Sequence, residues 1–101
     1  MDVKERIRKQ VTENRVVLYM KGTPEAPQCG FSAAAVQLLE ASGAEDVATV
    51  NVLADADIRQ GIKDFSNWPT IPQLYVNGEF VGGADIMREM YQSGELQKLV
   101  K

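Results

Sequence analysis

Five apolar residues in succession, Val16-Val17-Leu18-Tyr19-Met20, constrain this chain more than any other stretch. A strand with one wet face alternates apolar and polar side chains, whereas a strand without alternation is covered on both faces. The chain must therefore lay structure on either side of a sheet. Its 101 residues suit one domain with one modest core. No linker, internal repeat or low-complexity segment interrupts it, so residues 1–101 are read as a single domain.

The other elements follow from periodicity and punctuation. Asp2 followed by Glu5 reads as a capping box opening a helix over Val3 to Glu13, with Val3, Ile7 and Val11 as its apolar stripe. Pro24 and Pro27 exclude regular structure from Gly22 to Gln28. A second helix starts at Gly30 or Phe31 and ends near Ser42, with Gly43 just past its end. Phe31 is expected to anchor its first turn in the core. Val47 to Val52 is the second strand. Asp55 caps a third helix whose core stripe is Ile58, Ile62 and Phe65, with Arg59 and Lys63 one turn apart on a neighbouring face. Pro69 and Pro72 forbid helix across Asn67 to Pro72.

Gln73 to Val76, the turn Asn77-Gly78 and Glu79 to Val81 form a hairpin, because Asn-Gly supplies the positive φ angles of a type I′ turn. Gly82-Gly83 breaks the last strand. Ala84-Asp85 opens a final helix with the stripe Ile86, Met87, Met90, interrupted at Ser93-Gly94 before Glu95 to Val100. The order αβαβαββα joins the first two strands through a helix, so they run parallel with a right-handed crossover. The hairpin adds an antiparallel pair. The expected fold is α/β, one mixed four-stranded sheet with helices on both faces.

The single cysteine, Cys29, falls where the first strand hands over, through the proline loop, to a helix N-terminus. Free N–H groups and the positive helix end favour a thiolate there. Such positions lower a cysteine pKa to anywhere in ~3.5–7.5. Gly30 leaves the backbone beside the sulfur open, and Lys21 adds a nearby cation. The alternative is a buried, inert thiol, the commoner fate of a free cysteine.

One cysteine closes no internal disulfide and suits a reducing compartment. The expected location is cytoplasmic, with an organelle matrix as the other option if a transit peptide has been removed. Histidine is absent, and with it the commonest general base and zinc ligand. Net charge is −3, and Lys4, Arg6, Arg8 and Lys9 alternate with Asp2, Glu5 and Glu13, so no nucleic-acid partner is expected. No apolar run reaches membrane-spanning length and no signal-peptide core is present, so no membrane partner is expected either.

Lys21-Gly22-Thr23-Pro24, Cys29-Gly30-Phe31-Ser32, Trp68-Pro69-Thr70-Ile71-Pro72 and Gly82-Gly83-Ala84-Asp85 occur in that order around these elements. In this the chain closely resembles the monothiol glutaredoxins of the Cys-Gly-Phe-Ser class, from Val16 to the C-terminal helix. The resemblance implies the thioredoxin-like fold and one glutaredoxin domain. Ala84 departs from relatives that often carry a second cysteine or a serine there, which removes a candidate partner thiol but leaves the backbone contact. Ser32 stands where dithiol relatives have their resolving cysteine. Cys29 therefore exchanges only with an external thiol, for which the resemblance implies glutathione.

The resemblance also implies a glutathione site. Lys21 would hold the glycine carboxylate and Arg59 would add a second charge-assisted contact. Lys63 stays unassigned, and a solvated helix face is the alternative for both Arg59 and Lys63. The resemblance also implies Thr70, Ile71 and Pro72 as binding residues. The bond before Pro72 is cis in this fold, and the Ile71 N–H and C=O would pair with the cysteinyl backbone of glutathione like an added strand. Gly83 allows close backbone approach, and the Ala84 and Asp85 N–H groups suit the γ-glutamyl carboxylate. The Asp85 side chain would meet the ammonium group, cap the helix, or do both. Trp68 flanks the site or fills the core.

Two functions are compatible with this reading. The resemblance implies a carrier of a 2Fe–2S cluster in iron–sulfur cluster assembly and redox homeostasis. A cluster takes four thiolates or near equivalents, and Cys29 is the only metal ligand of its kind in the chain. A cluster-bridged homodimer with two glutathiones would complete the set, with iron–sulfur acceptor or assembly proteins as partners. The alternative is a glutathione-dependent thiol–disulfide oxidoreductase that removes glutathione from mixed disulfides, for which one thiol suffices. The resemblance implies that this activity is low, in keeping with a longer loop before Cys29 than dithiol relatives have.

Overall fold

The computed structural model describes every residue from Met1 to Lys101. In chain order the elements are α1 (Val3–Glu13), β1 (Val16–Met20), α2 (Gly30–Ala41), β2 (Ala48–Asn51), α3 (Ala56–Ser66), β3 (Gln73–Val76), β4 (Glu79–Gly82), α4 (Ala84–Ser93) and α5 (Glu95–Val100). All five residues of β1 are buried. They divide by the two-residue period of a strand between two cores, where the sequence suggested one, because β1 is covered on both faces and separates them. Val16, Leu18 and Met20 meet Ala35 and Leu39 of α2, Met87 of α4 and Leu96 and Val100 of α5. Val17 and Tyr19 meet Ile7 and Val11 of α1 and Ile58 and Ile62 of α3. The uninterrupted apolar run thus has the cause inferred for it.

The sheet has four strands in the order β2-β1-β3-β4. β1 pairs parallel with β2 and antiparallel with β3, and β3 pairs antiparallel with β4. The hairpin turn has Asn77 at φ +53° and Gly78 at φ +79°, the backbone that Asn-Gly favours. No helix is long and apolar enough to cross a membrane.

Local capping is as expected, with one addition. Asp2 Oδ1 accepts from the Glu5 N–H at 2.9 Å. Asp55 Oδ1 accepts from the N–H groups of Asp57 and Ile58, while its Oδ2 accepts from Arg6 Nη2 at 2.7 Å. That ion pair ties the start of α3 to α1. Gly61 closes the same contact, because a Cβ there would collide with Val3 Cγ1.

Four details depart from expectation. Phe31 is 60% exposed and lies outside the core. The buried stripe of α2 is Ser32, Ala35, Val36 and Leu39, and one residue back from Ser32 is a rotation of about 100° away from the sheet. Ile86 is displaced in the same way, exposed beside the buried Met87 of α4. β2 is shorter than Val47 to Val52, because its pairing with β1 runs only from Ala48 to Asn51. β4 includes Gly82, which pairs with Leu74 across an irregularity in the register.

The Arg6 guanidinium, assisted by the Ile58 and Asp57 N–H groups, holds the Asp55 carboxyl below its ordinary value of 3.8. A depressed carboxyl pKa adds stability above the unfolded-state value, lost as pH falls through the folded-state value. Thermal unfolding followed from pH 7 to below 3 should show a fall in Tm beginning near 3.8. Asp55→Asn should have a lower Tm at pH 7 and a smaller drop across that acid window.

Candidate functional site

The strand order brings four distant segments to one end of the sheet. Tyr19 of β1 pairs with Gln73 of β3, and Leu74 of β3 pairs with Gly82 of β4. The end of β1, the approach to β3 and the exit from β4 therefore lie side by side. With the start of α2 they enclose a cavity of about 400 Å³. Lys21 lines it from the end of β1, Cys29 and Phe31 from the start of α2, and Lys63 from α3. Trp68 to Pro72 form one wall and Gly83 to Ile86 the other.

Cys29 is the N-cap residue of α2, in extended conformation, and is partly exposed. Its thiol pKa lies below the ordinary 9.0. The main cause is the backbone N–H of Ser32, opposed by partial desolvation and helped by the Phe31 N–H, the Lys21 charge and the Ser32 hydroxyl. No side-chain hydrogen bond closes the cap of α2, so these helix-start donors act by favouring the anion over the neutral thiol. Ser32 is fully buried, and its Oγ accepts from the Lys21 N–H at 3.0 Å. The residue that replaces a second thiol also joins β1 to α2.

The loop between Lys21 and Cys29 is held by its own bonds. The Gln28 N–H donates to Lys21 O at 2.9 Å, and Thr23 and Ala26 exchange backbone hydrogen bonds. Gly22 has φ +91°, and a Cβ there would stand 2.6 Å from Ala26 O. Its N–H donates to Asn51 Oδ1, which also accepts from the Leu53 N–H. Asn51 thus anchors the loop from the end of β2, a role with no local sequence signal.

On the far wall the Ile71–Pro72 bond is cis, as expected. A Cβ on Gly83 would lie 3.2 Å from Pro72 O, so glycine allows the two walls to approach. Gly83 is also the N-cap of α4 and has no side chain to cap it. The first N–H groups of α4, from Ala84 and Asp85, are left to the cavity. Asp85 is in the first turn rather than at the cap, and its carboxylate is exposed, 3.9 Å from Arg88 Nη1.

Of the residues singled out in the sequence, Lys21, Cys29, Thr70, Ile71, Pro72, Gly83, Ala84 and Asp85 come together in this lining. Arg59 does not: it is exposed and lies outside the lining. Lys63 lines the cavity instead, because it is one turn nearer the end of α3 that leads through Asn67 to Trp68. Of the two roles foreseen for Trp68 it takes the first, flanking the cavity: it is 43% exposed and does not fill the core, although its ring packs against Phe80 at 6.1 Å.

The rate of Cys29 alkylation by iodoacetamide, followed against pH, should have a midpoint below 9.0. Lys21→Ala should raise that midpoint but leave it below 9.0, because the larger contribution of the Ser32 N–H remains. Added salt should shrink the difference between the two proteins. A midpoint at or above 9.0 in the unsubstituted protein would contradict the thiolate assignment.

The family model for glutaredoxin matches residues 16–81, which include the cysteine, the proline wall and the hairpin. A ycf64-like monothiol glutaredoxin of Synechocystis is 60% identical over 100 residues, spanning 99% of this chain and 92% of that protein. Glutaredoxin 4 of Escherichia coli is 57% identical over 97 residues, spanning 96% of this chain and 84% of that protein. The solution structure of reduced apo GrxS14 from poplar matches with a TM-score of 0.81 and 52% identity, covering 95% of this chain and 87% of that one. The fold is thioredoxin-like, as the order of elements required. With one thiol at the start of α2 and a buried serine in place of a second, the chain belongs to the glutaredoxin family, in its monothiol branch.

Proposed function

We propose that this glutaredoxin binds glutathione in the Cys29 cavity and carries a 2Fe–2S cluster as cargo for iron–sulfur cluster assembly and redox homeostasis. The observation that carries this reading is a count of ligands. Cys29 is the only thiol, and nowhere do three or more His, Cys, Asp or Glu side chains gather that could hold a metal ion. A cluster seated at Cys29 must draw its other thiolates from outside the chain. A second copy supplies one and two glutathiones supply two.

The cavity has the chemistry for the tripeptide. Lys21 and Lys63 offer cations to the glycine carboxylate, and Arg59, one turn back along α3, offers an outer one. The Ile71 backbone suits the cysteinyl unit, flanked by Thr70 and Pro72. The uncapped N–H groups of Ala84 and Asp85 suit the γ-glutamyl carboxylate, and the Asp85 side chain its ammonium group.

The partly exposed, thiolate-favouring sulfur also supports a second activity, removal of glutathione from mixed disulfides. The Cys29 thiolate attacks the glutathione sulfur, a new disulfide forms, and the freed substrate thiolate takes up a proton. A second glutathione thiolate then attacks the sulfur of the bound glutathione, releasing glutathione disulfide and restoring the Cys29 thiolate. Ser32 cannot intercept either step.

Anaerobic reconstitution with iron and sulfide, with and without glutathione, tests the carrier reading by native mass measurement. The expected species holds two chains, two glutathiones and one cluster, and forms only when glutathione is present. Cys29→Ser should fold as the unsubstituted protein does yet stay colourless. A full cluster on a single chain, or assembly without a small thiol, would overturn the reading. A colourless unsubstituted protein with brisk deglutathionylation would favour the enzyme.

A further inference from the structure

Gln73 opens β3 and is fully buried, an uncommon place for a primary amide. Its Nε2 donates to two backbone carbonyls, Trp68 O and Thr70 O, each at 3.1 Å. The amide fits in only this orientation, because exchanging its ends would press Oε1 against two carbonyl oxygens. Oε1 itself is buried without a hydrogen-bond partner. A methionine or leucine would fill the slot without stranding an oxygen, so packing does not account for the residue. The two donated bonds do.

Both acceptors belong to residues that line the Cys29 cavity. They lie in a stretch without regular structure, while the Gln73 backbone is fixed in the sheet by its pairing with Tyr19 of β1. A rigid strand thus holds two points of a loop two residues apart. Gln73 itself is absent from the lining.

We propose that Gln73 is a positioning residue: through the Trp68 and Thr70 carbonyls it fixes the wall against which glutathione lies, and so sets the preference for glutathione without contact with the reacting sulfur. This rests on glutathione being the ligand of the cavity, as proposed above.

The test compares two disulfides as partners of Cys29. The thiolate attacks glutathione disulfide to give the glutathione adduct and one free glutathione thiolate, or attacks hydroxyethyl disulfide to give a small adduct and 2-mercaptoethanol thiolate. Equilibrium constants for both come from mass spectrometry in defined thiol–disulfide buffers. Gln73→Met should weaken the glutathione adduct by roughly fivefold to tenfold, the scale of two lost hydrogen bonds, and leave the small adduct within about twofold. The alkylation midpoint of Cys29 should not move. Trp68 is the only tryptophan, so acrylamide quenching of its emission should rise in the folded variant.

An unchanged glutathione preference in Gln73→Met, or an equal loss for both adducts, would overturn the proposal. Equal stability of the two adducts in the unsubstituted protein would instead refute the glutathione site itself. Should Gln73→Met fail to fold, the side-chain amide protons of Gln73 in the unsubstituted protein decide the matter by NMR. They should exchange far more slowly than those of the exposed Gln92. Equal exchange rates would overturn the proposal.

Discussion

One hydrogen bond holds the end of the central strand to the first turn of the helix that bears the thiol: Lys21 N–H to the buried Ser32 Oγ, at 3.0 Å. Everything at Cys29 depends on that registration. It sets the Ser32 N–H, the main cause of the lowered thiol pKa, beside the end of the strand from which Lys21 projects. A hydroxyl suits the link better than a thiol, because sulfur is a weak acceptor and oxygen a good one. The absence of a second cysteine therefore has a structural side as well as a redox one.

The site is otherwise built largely from backbone. Strand order and register bring the end of β1, the approach to β3 and the exit from β4 to one end of the sheet. Glycine at 83 lets two of these segments close on each other, and glycine at 22 lets the loop before Cys29 fold back on itself. Polar side chains then pin what the sheet leaves loose, Asn51 on one side and Gln73 on the other. The lining is thus held by contacts within the chain on both sides of the cavity.

Local chemistry was legible in the sequence and distant chemistry was not. Asp2 and Asp55 cap helices, Asn77-Gly78 turns a hairpin and Pro24 and Pro27 mark a loop, each through contacts within a few residues. Most of the residues that line the cavity were legible only through a family resemblance carried by four motifs in order. What stayed hidden was long-range. Arg6 to Asp55, Asn51 to Gly22 and Arg15 to the carbonyls of Leu99 and Val100 join residues far apart in the chain, with no spacing to betray them. That Lys63 rather than Arg59 lines the cavity was hidden for a related reason. The helical period relates them to each other, but only the tertiary packing of α3 says which end of it meets the cavity.

The misplacement of Phe31 and Ile86 exposes a different limit. Periodicity fixes which residues share a face but not how the helix is rotated against the sheet. Once Ser32 and Met87 are drawn inward, their preceding neighbours are carried outward by about 100°. Phe31, Ile86 and Trp68 then stand exposed around the mouth of the Cys29 cavity. Each leaves apolar area in water that the single chain does not recover, at ~25 cal/mol per Å². The inward turn that gives Ser32 Oγ its bond to the Lys21 N–H thus costs apolar exposure beside the thiol.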